Sequence, residues 1–280
     1  MAEPLAPSAG AETASGAERI AVAFARAHGE RRTALMPYMM AGFPDQETSL
    51  AVADAYVESG ADLVELGIPF SDPLADGPVI HAAAARALAS GATLVRSLEV
   101  CERIAGRVPV VAMTYANMLL ARPPGEVAAM LAAAGAAGAI VPDLPLEEAG
   151  ELAGALREAG LAFVPLAAPN TSAERRRTIC ARAEGFVYLV SDTRVTGERA
   201  ELPPELGQLV EAACADADVP VAVGFGIGTP EQAASVGRVA DGVIVGSRLV
   251  REVAEAAGVS EAAEAVTRFM RAARTAMASR

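Results

Sequence analysis

The stretch PVAVGFGIGTPEQAASVGRVADGVIVGS, Pro220–Ser247, decides the fold. A short apolar run, Pro220–Val223, ends in Gly224-Phe225-Gly226-Ile227-Gly228 and passes at once into Thr229-Pro230-Glu231. Thr229 carries the hydroxyl an N-cap needs, and Pro230 at the first helical position has a preset φ and no N–H to lose. A second apolar run, Asp241–Val245, ends in Gly246-Ser247 and again leads directly into a helix. Continuous apolar strands alternating with helices are the pattern of parallel strands covered on both faces.

The unit repeats outward from there. Six more strand-type runs are Ala34–Ala41, Ala61–Leu66, Val108–Met113, Gly138–Val141, Ala162–Leu166 and Gly185–Val190. Helical segments between them include Gln46–Ser59, Pro124–Ala134, Leu146–Ala159, Ala173–Ala183 and Pro230–Val236. Asn170-Thr171-Ser172 before Ala173 and Glu174 supplies another helix start. Eight β–α repeats in about 250 residues fit an α/β fold closed as a (β/α)8 TIM barrel. An open doubly wound sheet shares the alternation, and periodicity alone leaves it open. An additional N-terminal helix, Glu18–Ala27, is expected to close the bottom of the barrel, and Ser260–Ala276 to be the last helix. Residues 1–16, rich in Ala, Pro, Ser and Gly, read as a disordered tail, and residues 17–280 as a single barrel domain without a linker.

Composition removes several chemistries. The formal charge is −12, and every one of the 23 Lys+Arg residues is an arginine. Without lysine the chain cannot form a Schiff base with a carbonyl substrate or pyridoxal phosphate, nor supply a P-loop lysine. The acidic balance argues against a nucleic-acid or anionic-membrane partner. Two histidines and three well-separated cysteines, Cys101, Cys180 and Cys214, offer no metal-spaced cluster, so no metal or cofactor is expected. The odd cysteine count points to a reducing compartment. With no signal-peptide pattern and no apolar run of membrane-spanning length, a cytoplasmic protein is expected.

Barrel enzymes place their chemistry at the C-terminal ends of the strands. The glycine turns after the seventh and eighth strands, with helix N-termini behind them, suit a substrate phosphate held by backbone N–H groups. The second strand reads Ala61-Asp62-Leu63-Val64-Glu65-Leu66-Gly67 and sets an ionisable Glu65 in an apolar run. Such a carboxyl should have a raised pKa, as proton transfer near neutrality requires, although a buried structural glutamate would look the same. The stiff loop that follows, Ile68-Pro69-Phe70-Ser71-Asp72-Pro73-Leu74-Ala75-Asp76-Gly77-Pro78, adds Asp76 at the barrel mouth and starts a helix at Gly77-Pro78. Asp72 and Asp76 could each be turn residues, but Glu65 with Asp76 makes the pair that acid–base catalysis needs. Phe43, Met113, Tyr115 and Val141 lie at strand ends and could line an apolar slot, or belong to the core.

ELGIPFSDPLADGP, Glu65–Pro78, closely resembles the signature of the tryptophan synthase alpha chain family. The resemblance continues through Met113–Asn117, Gly185–Leu189, Val195–Gly197, Gly224–Ile227 and Val245–Ser247, and so spans almost everything after residue 17. It implies a (β/α)8 barrel that splits indole-3-glycerol phosphate into indole and glyceraldehyde 3-phosphate, with neither metal nor Schiff base. By the same resemblance Glu65 moves the proton and Asp76 holds the indole N–H. Tyr188 lies close to the substrate, with Thr196 retained beside the catalytic pair. Gly197, Phe225, Gly226, Gly246 and Ser247 form the phosphate cradle. The implied partner is a pyridoxal-dependent beta subunit in an alpha2–beta2 assembly, approached by the loops around Leu74–Pro78 and Val195–Gly197.

One loop departs from the family. It usually reads Ser-Arg-x-Gly-Val-Thr-Gly, whereas this chain has Ser191-Asp192-Thr193-Arg194-Val195-Thr196-Gly197. Losing a glycine and reversing a charge there suggests altered loop closure, or altered coupling to the beta chain. Gly42-Phe43-Pro44 in place of Gly-Asp-Pro is a smaller change. The alternatives are a stand-alone lyase releasing indole for another pathway, a non-catalytic subunit that only activates a beta chain, and a sugar-phosphate isomerase or epimerase. The last lacks its usual lysine or metal machinery here.

Overall fold

The computed structural model describes residues 14–190, 206–224 and 226–278. Its strands are β1 (Ala34–Met40), β2 (Val64–Gly67), β3 (Val110–Met113), β4 (Gly138–Ile140), β5 (Ala162–Val164), β6 (Leu166–Ala167), β7 (Val187–Val190), β8 (Val221–Gly224) and β9 (Gly242–Val245). The helices begin with α1 (Gly16–Gly29), α2 (Gln46–Glu58), α3 (Pro78–Ala89), α4 (Leu94–Ala105), α5 (Ala116–Leu120) and α6 (Pro124–Ala133). They continue with α7 (Gly150–Glu158), α8 (Ala173–Cys180), α9 (Leu206–Asp216), α10 (Pro230–Gly237), α11 (Ser247–Glu255) and α12 (Val259–Met277).

Every strand pairing among the described residues is parallel, in the order β5-β4-β3-β2-β1-β9-β8-β7-β6. The two ends of that order, β5 and β6, are separated in sequence only by Pro165. They are two halves of the single strand expected at Ala162–Leu166, one half pairing with β4 and the other with β7. Proline has no N–H to give the ladder, so the strand is interrupted there, although the Tyr188 N–H still reaches the Pro165 carbonyl at 3.1 Å. The sheet therefore closes as a (β/α)8 barrel, and the open doubly wound alternative is excluded. Nearly every strand residue is buried, because helices cover the outside and side chains fill the inside.

The additional N-terminal helix lies where it was expected. From α1, Phe24 meets Phe186 at a ring-centroid distance of 5.9 Å beneath the strands. Arg19 donates to the carbonyls of Gly135 (2.9 Å) and Ala105 (2.7 Å). The helix starts at Gly16, inside the stretch read as a tail, with Ser15 and Glu18 forming a capping box. Helix α7 starts four residues later than the Leu146 expected, because Glu148 and Ala149 first turn back onto the Pro145 carbonyl. No single helix among the described residues is long and apolar enough to cross a membrane.

Candidate active site

Glu65 sits in β2, and period-two alternation places it on the same face as Gly67. It is 2% exposed, and neither carboxyl oxygen has a hydrogen-bond partner among the described residues. Burial and the nearby Asp76 charge push its pKa up to about 8. Ionising such a group means losing water without a compensating bond, so the neutral form is favoured.

Asp76 is brought over the barrel mouth by the β2–α3 loop, which ends where Gly77 caps α3 ahead of Pro78. Burial raises its pKa to about 6, opposed by a hydrogen bond from the Tyr115 hydroxyl and by the charge of His81. Tyr115 is the residue that precedes α5. Its hydroxyl also accepts from the Ala75 N–H at 3.2 Å, and its ring stacks on Phe70 at 5.4 Å. The Asp143 carboxylate fixes the next residue by accepting from the Ala116 N–H at 2.8 Å. Tyr115 thus clamps the Asp76 loop from both ends. The two carboxyls straddle neutrality: one is mostly protonated, the other mostly ionised.

Tyr188, on β7, is buried and lies within the electrostatic reach of both carboxyls. Its hydroxyl stands over Gly224, where a Cβ would come within 2.2 Å of it. The sequence reading did not single out Tyr38, which does the same on the other side. It is the register partner of Glu65 across β1 and β2, and a Cβ on Gly67 would come within 2.1 Å of its hydroxyl. Only glycine fits under either phenol. In sequence, a tyrosine inside the apolar run Ala34–Ala41 is indistinguishable from core.

Of the phosphate candidates, Gly226 adopts φ +81° at the turn after β8, and Gly246 and Ser247 begin α11. The two helix N-termini differ, contrary to the expectation that both would offer unpaired donors. Helix α10 is closed by its own capping box. Gln232 Oε1 accepts from Gly228 N (2.8 Å) and Thr229 N (3.2 Å), while Thr229 Oγ1 accepts from Gln232 N (3.2 Å). Helix α11 has no side-chain cap, so its first turn is the end with donors available to an anion. Thr196, Gly197 and Phe225 lie outside the described residues, as do Asp192 and Arg194. The apolar candidates Phe43, Met113 and Val141 are all buried, and the Phe43 ring also faces Arg86 of α3 at 5.9 Å. Clefts of about 670 and 420 Å³, around Arg19 and around His28, open on the opposite end of the barrel and touch none of these groups.

The fold and site together are those of a TIM-barrel protein with a buried carboxyl pair, Glu65 and Asp76, at the C-terminal ends of its strands and an uncapped helix N-terminus at α11 beside them. The model of one family, Tryptophan synthase alpha chain, matches residues 24–279. The chain belongs to that family. It is 48% identical over 260 residues to a tryptophan synthase alpha chain of Prochlorococcus marinus, covering 92% of this chain and 93% of that one. It is 42% identical over 260 residues to one of Methanosarcina acetivorans, covering 92% and 95%. Among solved structures, Mycobacterium tuberculosis tryptophan synthase aligns with TM-score 0.85 and 36% identity, over 95% of this chain and 99% of that one. The alpha subunit of Legionella pneumophila aligns with TM-score 0.84 and 36% identity, over 92% and 98%.

Proposed function

We propose that this chain is the lyase subunit of a tryptophan synthase, cleaving indole-3-glycerol phosphate to indole and glyceraldehyde 3-phosphate. The observation that carries the reading is the pair Glu65 and Asp76, held at about 8 and about 6 in one buried mouth. Glu65, neutral at physiological pH, gives its proton to the indole carbon that bears the glycerol chain. Protonation there puts positive charge on the ring nitrogen, which the Asp76 carboxylate stabilises across its N–H. Glu65 then takes the proton of the adjacent glycerol hydroxyl as the carbon–carbon bond breaks. The aldehyde leaves, the bonding pair returns to the ring, and Glu65 is protonated again. The indole ring is the electron sink, as a lysine-free chain requires.

The Gly246–Ser247 start of α11, together with Gly226, Gly197 and Phe225, would hold the phosphate. Thr196 and Tyr188 would line the reacting end. Tyr115 both lines the indole slot and fixes Asp76. The partner is a beta subunit in an alpha2–beta2 complex. Leu74, 84% exposed on the Asp76 loop, and Leu120, 62% exposed at the end of α5, give this face an apolar contact that water alone does not favour. The protein is assigned to the cytoplasm. Indole release from indole-3-glycerol phosphate by the purified chain, with and without a beta subunit, tests the reading. Turnover is expected, stimulated by the beta subunit; no cleavage under either condition would overturn it.

A further inference from the structure

If Glu65 hands its proton to the indole ring, it must pass through a carboxylate state inside an apolar barrel. Its oxygens have no hydrogen-bond partner among the described residues, so that state needs a donor that can turn toward it. Its titratable surroundings are Tyr38 from β1, Tyr188 from β7 and Asp76 from the β2–α3 loop, with Tyr115 and His81 acting on Asp76. Tyr115 is engaged with Ala75 and Asp76. Tyr188 places its hydroxyl over β8, at Gly224. Tyr38 differs from both. It is paired in register with Glu65 itself, and its hydroxyl stands over Gly67, the next residue on the same face of β2.

We propose that Tyr38 is a positioning residue for the proton transfer, its O–H donating a hydrogen bond to the Glu65 carboxylate between loss of the proton to indole and its recovery from the substrate hydroxyl. The inference rests on the reading of Glu65 given above. Tyr38 keeps its own proton throughout; only the Glu65 proton moves to carbon, and the hydroxyl proton replaces it. A donor to the charged form favours ionisation, so Tyr38 also brings Glu65 closer to neutrality than burial alone would.

Tyr38→Phe removes the hydroxyl and leaves the ring packed against Gly246 and Gly67. Indole release measured across pH should show kcat lowered roughly tenfold, with KM little changed. The alkaline limb of kcat/KM should move up by about one pH unit, since the Glu65 proton is held more tightly without the donor. Glu65→Gln, assayed in parallel, should be inactive on this scale, its indole release down by roughly 10³-fold. An unmoved alkaline limb in Tyr38→Phe, whatever its kcat, overturns the inference while an inactive Glu65→Gln leaves the proposed function standing. An active Glu65→Gln overturns both.

Discussion

Asp62 and Glu65 lie three residues apart along the run that forms β2, both buried, and they have opposite surroundings. Asp62, at the foot of β2, is fully satisfied. Arg32 grips both its oxygens, one bond measuring 2.8 Å, Arg26 reaches it at 3.2 Å, and the Leu35 N–H donates at 2.9 Å. Its own N–H returns to the Leu35 carbonyl, so its side chain stands in for a missing strand carbonyl and joins β1 to β2. Glu65, at the other end, has no hydrogen-bond partner among the described residues. Burial alone therefore does not mark a catalytic carboxyl. Partnered, it fastens the bottom of the barrel; unpartnered, it stores a proton.

The contrast breaks most sharply at Glu65. Glu65→Gln should cut indole release by roughly 10³-fold, since general acid–base catalysis contributes on that scale. It should also make the fold more stable. The folded-state pKa is raised from 4.5 to about 8, so the wild type is progressively penalised as pH rises through that window. Removing the ionisable group should recover about 3 kcal/mol at neutral pH, read by urea unfolding, and flatten the stability–pH curve between those limits. A variant destabilised at neutral pH would place Glu65 with Asp62 as a structural carboxylate.

Asp62→Ala should do the reverse. Arg32 would be left buried without its main partner, lowering stability by about 3 kcal/mol in urea melts, while turnover per folded molecule is retained. Gly67→Ala bears on both properties. A methyl 2.1 Å from the Tyr38 hydroxyl must displace the phenol, costing about 2 kcal/mol of stability and disturbing proton transfer at Glu65. The smallest effect is expected at Thr229→Ala, which opens the α10 capping box. It should cost about 1 kcal/mol of stability yet leave KM for the phosphorylated substrate unchanged, because α11 rather than α10 has the free N-terminus.

Much of this could be read in the sequence, and the unreadable part has a physical pattern. The barrel was legible because buried parallel strands leave continuous apolar runs, and even the strand broken at Pro165 was found as one run. Glu65 and Asp76 stood out only as a pair: either carboxyl alone reads equally well as structural, but one in an apolar run followed by another in a stiff Pro–Asp loop is the combination acid–base catalysis needs. The α10 capping box was legible too, as Thr229 and Gln232 at the required spacing, but the Pro230 start signal drew the reading and its consequence for phosphate was missed. Asp62 could not be interpreted, since its partners Arg26 and Arg32 come from α1 and the turn after it. Tyr38 was hidden for the opposite reason: an aromatic residue in an apolar strand announces nothing until the register sets it beside Glu65 and a glycine clears the space for its hydroxyl.

The proposed proton transfer turns on the protonation state of one side chain. Carbon-13 NMR of the full chain labelled at glutamate side-chain carboxyls, compared with Glu65→Gln, reads it directly. One resonance, missing from the variant, should remain in the protonated form at neutral pH and titrate near 8. If the Glu65 resonance instead titrates around the ordinary value of 4.5, Glu65 is not a stored proton and the central claim is wrong.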